Sequence, residues 1–130
     1  VERFDAAAGI AALDAARTAL AAAATVAVFP EGTFKRMPGL LPFHLGAFVL
    51  AAECGVPLVP LAIAGTRSVL RADSWFPHRG PLTVRLGPAA RTIPGDGWQG
   101  AMVLRDHART QILARIAEPD LAHESNVVER

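Results

Sequence analysis

Apolar residues recur at three- and four-residue intervals from Ile10 through Leu13, Ala16 and Leu20 to Ala23, with Asp14, Arg17 and Thr18 between them. That spacing predicts an amphipathic helix from Asp5 to about Ala24. Alanine, the strongest helix former, dominates the stretch, and the Asp5 carboxylate can accept from the free N–H groups at its start. Thr25-Val26-Ala27-Val28-Phe29 then reads as a short buried strand stopped by Pro30. Glu31 to Pro42, with its glycines, prolines and charges, is a long loop of the kind that often carries function. Phe43 to Cys54 is apolar almost all round, as a helix buried on several sides is, and Gly55 is its natural stop. Val56 to Ile63 reads as a strand covered on both faces.

Strand, helix, strand in that order predicts parallel neighbours joined by a crossover. Leu82-Thr83-Val84-Arg85-Leu86 alternates and predicts another strand, nearer an edge. Pro94-Gly95-Asp96-Gly97 is a turn cluster. From Trp98 to Ala117 a helical stripe runs through Ala101, Leu104, Ala108, Ile112 and Ile116, opposite Arg105, Asp106 and Arg109. The expected fold is α/β, a mainly parallel central sheet flanked by helices. It occupies residues 1–118, and residues 119–130 form a polar tail.

Composition supports a packed interior: 52% of residues are hydrophobic and 19% charged, in a chain of 130. A net charge of +1 provides no general field for nucleic acid. Cys54 is the only cysteine, so no internal disulfide is expected and a reducing compartment fits. Within its apolar surroundings Cys54 is expected to pack as a small hydrophobe. The apolar stretch from Leu45 to Ala64 is broken by Glu53, Gly55, Pro57 and Pro60, which suits helix and strand rather than a membrane span. The first residue is Val1, not methionine, from which a piece of a longer polypeptide is expected.

The chemistry concentrates in Phe29-Pro30-Glu31-Gly32-Thr33-Phe34-Lys35-Arg36, at the end of a predicted strand, where α/β sheets place their ligands. Gly32 permits close backbone approach, Thr33 adds a hydroxyl, and Lys35 and Arg36 add two positive charges. Such a set can hold a phosphate or a polyol. The glycine spacing matches neither the P-loop nor the dinucleotide fingerprint, so on spacing alone a ligand loop and a solvated surface turn both stand.

Phe29-Pro30-Glu31-Gly32-Thr33 resembles the third conserved block of the glycerol-phosphate and lysophosphatidic-acid acyltransferase family. Val56-Pro57-Leu58-Val59-Pro60-Leu61-Ala62-Ile63 resembles its fourth block, and Val1-Glu2-Arg3 the last residues of its second. The three stand in the family's order over roughly residues 1–65. The resemblance implies that the second and third blocks line the glycerol-phosphate site. Arg3 would then be a phosphate ligand, Glu31, Gly32 and Thr33 would shape the acceptor pocket, and Lys35 and Arg36 would assist. Phe34 stands where the family usually has an Arg, so a bidentate phosphate donor is missing from its expected place.

The family's catalytic pair is a His followed five positions later by an Asp, the His acting as general base on the acceptor hydroxyl. Five positions after His44, His78, His107 and His123 stand Val49, Thr83, Ile112 and Val128. No catalytic residue is therefore expected in this chain, which alone would be inactive; the pair would lie upstream of Val1. The intact protein would move a fatty acyl group from acyl-CoA or acyl-carrier protein to a lysophospholipid or glycerol-phosphate hydroxyl, in phospholipid biosynthesis. No bound cofactor or metal is implied. His78, His107 and His123 have no Cys or second His at ligand spacing.

Around Asp73-Ser74-Trp75-Phe76-Pro77 stand Arg71 and Arg79, and cations beside large aromatics suit an anionic bilayer surface. Peripheral contact through Arg71, Trp75, Phe76 and Arg79 is therefore an expectation, with the protein cytoplasmic or at the cytoplasmic face of a membrane. Two other readings are a non-catalytic lipid-binding or interaction module that keeps the fold, and an unrelated α/β phosphate-ester enzyme using Glu31 in acid–base chemistry.

Overall fold

A computed structural model describes residues 6–33, 37–71, 73–93 and 95–122. In chain order they form α1 (Ala6–Ala21), α2 (Gly46–Cys54), β1 (Leu61–Ala64), the single-turn α3 (Thr66–Val69), β2 (Thr83–Leu86) and α4 (Gly97–Leu113). Asp5, the expected cap of α1, lies outside the described residues.

Two helices end in the same backbone motif built from different residues. Past α2, Gly55 takes the left-handed conformation at φ 62°, its N–H donating to Ala52 and that of Val56 to Ala51. Past α1, Ala23 does so at φ 59°, with its N–H on Leu20 and that of Ala24 on Ala19. Both are Schellman ends, which satisfy carbonyls that the last turn leaves without partners.

The core lies between α2 and α4. Phe48, Ala51 and Ala52 face Ala101, Leu104 and Ala108, with Leu104 only 1% exposed. The stripe predicted for α4 is therefore the buried one, although the helix gives way to turns after Leu113 rather than at Ala117. Small residues on both helices allow close approach, and Leu104 and Phe48 fill the space between. Phe43 was expected within the helix but precedes it. Pro42 has no N–H and disfavours helical backbone at the residue before it, and Leu41 and Phe43 are buried on either side of an exposed Pro42 before the helix begins. The Phe43 ring stacks on Phe48 at 6.1 Å.

α1 rests on α2. Leu13 packs over Gly46, and Arg17 reaches Glu53 at 2.8 Å, giving the otherwise unexplained acid of α2 an exposed partner. Of its predicted stripe, Leu13, Ala16 and Leu20 are half-buried whereas Ile10 is exposed.

The sheet departs from expectation. β1 and β2 pair antiparallel, Leu61 opposite Leu86 and Ala64 opposite Thr83. The pairing reaches back to a bridge between Leu58 and Ala90. Three residues (87–89) on one side of that extension face two (59–60) on the other, which makes a bulge. Pro57 and Pro60 cannot donate, so the predicted strand over Val56–Ile63 becomes a short ladder and one isolated bridge.

Only Ala62 of β1 is buried, so the strand is covered on one face, not two. Residues 25–29, expected as a buried strand, join no ladder among the described residues, and Val28 and Phe29 are exposed. The expected parallel pairing of that segment with the 56–63 segment, and with it the parallel central sheet, is not what forms. The described sheet is two-stranded and antiparallel, because the partner that β1 finds is the returning strand β2. The architecture is a small mixed helix–strand fold. Of the polar tail, Pro119 and Leu121 bond the backbone of Leu40, and 123–130 lie outside the described residues.

Candidate functional site

Phe29 to Gly32 form a tight turn closed by the Gly32 N–H on the Phe29 carbonyl at 3.2 Å. Pro30 at its second position supplies the preset φ such turns favour, and Gly32 closes it at φ 66°. The turn is then tied to the chain that returns beneath it. The His44 N–H donates to the Pro30 carbonyl at 2.8 Å, and the Leu41 N–H donates to Glu31 Oε2 at 2.9 Å. Glu31 is half-buried by this engagement, while Thr33 is exposed and Phe29 is 80% exposed. One oxygen of the Glu31 carboxylate thus holds the loop in shape.

Of the residues singled out in the sequence, Glu31, Gly32 and Thr33 are brought together on this turn. Arg3, Lys35 and Arg36, and Phe34 with them, lie outside the described residues.

The returning segment 39–41 is held by residues far from it in the chain. Gly39 donates its N–H to Glu118 Oε2 at 2.8 Å, and Arg67 Nε donates to Oε1 of the same carboxylate at 2.9 Å. The Arg67 hydrogen bond, aided by the one from Gly39 and opposed by partial burial, holds the Glu118 carboxyl below its usual range. Arg109, from α4, donates to the carbonyls of Leu40 (3.0 Å) and Leu41 and to the carboxylate of Asp120. Its guanidinium lies 5.2 Å from the centre of the Phe43 ring, and its side chain is 13% exposed. Leu40 also exchanges backbone hydrogen bonds with Pro119 and Leu121. Gly39 sits at φ 139°, where a Cβ would run into the Leu121 side chain, so only glycine fits this close passage.

Trp75 and Phe76 are 95% and 78% exposed, on a loop where Arg71 and Arg79 are exposed too. The Ser74 hydroxyl bonds both the N–H and the carbonyl of Phe76, and the His78 N–H donates to the Val69 carbonyl at 2.7 Å. Among the described residues no helix is long and apolar enough to cross a membrane, and no group of His, Cys, Asp and Glu side chains could hold a metal ion.

Comparison with known proteins gives these loops a context. The family model described as Acyltransferase matches residues 1–64, a stretch that includes the turn and the segment beneath it. The chain is 34% identical over 93 residues to the 1-acyl-sn-glycerol-3-phosphate acyltransferase of Escherichia coli, which covers 72% of this chain and 37% of that protein. The enzyme of the same name from Haemophilus influenzae is 44% identical over 48 residues, 37% of this chain and 20% of its own length. That of Cocos nucifera is 33% identical over 72 residues, 55% of this chain and 22% of its own. The chain therefore spans between a fifth and two fifths of these relatives. No solved structure matches. With the Phe29–Thr33 turn inside the matched region and these relatives agreeing in name, the chain belongs to the glycerolipid acyltransferase family.

Proposed function

We propose that this chain is the acceptor-binding part of an O-acyltransferase of phospholipid biosynthesis, acting on a lysophosphatidate or a related glycerol-phosphate hydroxyl. The observation that carries the reading is the Phe29–Gly32 turn, braced through Glu31 onto Leu41, with Thr33 exposed beside it. A turn held in this way keeps its geometry while a polar acceptor docks, so little ordering is required on binding. In this reading Thr33 offers a hydroxyl to the acceptor, and Arg3, Lys35 and Arg36 supply cations for its phosphate.

The acceptor hydroxyl would attack the carbonyl carbon of an acyl thioester, from acyl-CoA or acyl-carrier protein. An ester C–O bond forms as the C–S bond breaks. A histidine oriented by an Asp five positions later would take the hydroxyl proton and pass it to the leaving thiolate. In this reading neither member of that pair is among residues 1–130, where no His is followed five positions later by an Asp. The residues of this chain position the acceptor, and no bound cofactor takes part. We also propose that the Trp75–Phe76 loop, flanked by Arg71 and Arg79, rests on an anionic bilayer at the cytoplasmic face, where the acceptor lipid resides.

The test is the full-length protein, assayed with labelled acyl-CoA and acyl-carrier protein against a panel of lysolipids and glycerol phosphate. Transfer to a phosphate-bearing acceptor is expected, and replacing the upstream His by Ala should abolish it. Transfer that persists in that variant would overturn the mechanism; a full-length protein that binds lysolipids without any transfer would make this a non-catalytic lipid-binding module.

A further inference from the structure

The acceptor turn is tied to the returning chain at two points, Pro30 to His44 and Glu31 to Leu41, and the two backbone polar groups of Leu41 point to different parts of the molecule. Its N–H donates to Glu31, inside the turn, and its carbonyl accepts from Arg109, 68 residues away on α4. Arg109 also takes the neighbouring Leu40 carbonyl and the Asp120 carboxylate, so its planar fork is used three ways. With Phe43 beneath it, the guanidinium is held as a fixed part of the core edge. Lysine cannot reproduce this: a point charge can satisfy one or two of these acceptors but not hold their mutual geometry. Two residues before Leu41, the Gly39 N–H donates to Glu118, whose other oxygen accepts from Arg67.

We infer that Arg109 is a positioning residue for the acceptor: by holding the carbonyls of Leu40 and Leu41 it fixes the backbone on which Glu31, and with it the Phe29–Thr33 turn, is anchored. This rests on the acyltransferase reading above. Arg109 touches no reacting atom in this scheme. Loosening it would let the turn drift, and errors of about 1 Å in a binding group can cost on the order of a hundredfold in rate.

The full-length protein carrying Arg109→Gln or Arg109→Lys tests it by steady-state kinetics in both substrates. Arg109→Gln should raise the acceptor KM by about tenfold or more while leaving the acyl-donor KM within about twofold, and Arg109→Lys should fall between. Leu104→Ala serves as the structural comparison, since it weakens the same helix interface without touching the turn. It should reduce the yield of active enzyme and leave both KM values alone. If Arg109→Gln does not fold, Asp120→Asn, which takes the charge from one of the three acceptors, should give a smaller rise confined to the acceptor. Equal changes in both KM values, or a loss of yield without any change in KM, would overturn the inference.

Amide exchange separates this outcome from failure of the reading beneath it. The Leu41 N–H should exchange faster in Arg109→Gln than in the unaltered protein, and unchanged exchange would overturn the mechanical link. A full-length protein with no transferase activity would instead sink the acceptor role, even where exchange at Leu41 responds.

Discussion

Glu118 shows how one side chain is placed by contacts from distant parts of the sequence. Its two oxygens take Arg67 and the Gly39 N–H, and its carboxyl is held below the ordinary range chiefly by the Arg67 hydrogen bond. A carboxylate depressed on folding adds stability that is present above its unfolded value, about 4.3, and is lost as pH falls through the lower folded value. Glu118→Gln should therefore be less stable by about 1 kcal/mol near neutrality, since the roughly 1.5–3 kcal/mol of a hydrogen bond to a charged group is reduced by solvent at this partly exposed pair. The gap should close as the pH is taken below about 4. Urea unfolding of both proteins from pH 7 to pH 3 checks this, and a gap independent of pH would contradict it. None of this was legible in the sequence, where Glu118 stood at the margin of a helix and Arg67 beyond a strand. Glu31 was legible, because the turn that holds it is local: Pro30 and Gly32 are its neighbours in the chain. What Glu31 grips was not, since Leu41 comes within reach only when the loop folds back.

At the scale of elements, the helices were read well and the strands less so. Helical spacing picked out Leu104, Ala101 and Ala108 as one face, and that face is the core. Helices close their hydrogen bonds within contiguous residues, so period and end signals suffice. The two Schellman ends carry this to a prediction. Gly55 takes its left-handed φ without strain, but Ala23 holds the same conformation with a Cβ, at a cost of roughly 1–2 kcal/mol. Glycine also has more freedom to lose on folding, which offsets part of the relief. Ala23→Gly should therefore raise stability by about 0.5–1 kcal/mol, read as a higher urea midpoint with unchanged slope. A lower midpoint would mean that the end of α1 is held by something other than this motif. Strands obey a different logic. Val56 to Ile63 has the composition of a strand covered on both faces, yet its partner, direction and bulge depend on β2, more than twenty residues on.

At the scale of the whole molecule, Trp75 is the most exposed large hydrophobic side chain among the described residues, and it shares a loop with Phe76, Arg71 and Arg79. Ser74 shapes that loop through both polar groups of Phe76, so the aromatics are presented rather than left to collapse onto the core. Bilayer docking by such a loop requires apolar insertion and attraction to anionic headgroups together. The full-length protein carrying Trp75→Ser and Phe76→Ser should lose at least several-fold in partitioning onto vesicles containing anionic phospholipid. Arg71→Gln with Arg79→Gln should weaken binding to those vesicles while leaving zwitterionic ones unaffected. Equal partitioning of all variants in vesicle sedimentation would remove the loop from any membrane role.

The sequence by itself determined the three longer helices α1, α2 and α4, the turn that presents Glu31, Gly32 and Thr33, and the family to which that turn pointed. Each rests on residues close together in the chain, where propensity, proline and glycine act directly. Only the tertiary structure decided that the described sheet is antiparallel, and that Arg109, Arg67, Glu118 and Asp120 converge on the segment beneath the turn. Those contacts join residues 51 to 79 positions apart outside the Asp120 pair. No local preference encodes them. They exist because burying α4 against α2 carries Arg109 to two carbonyls and a carboxylate that a polar side chain at a core edge must satisfy.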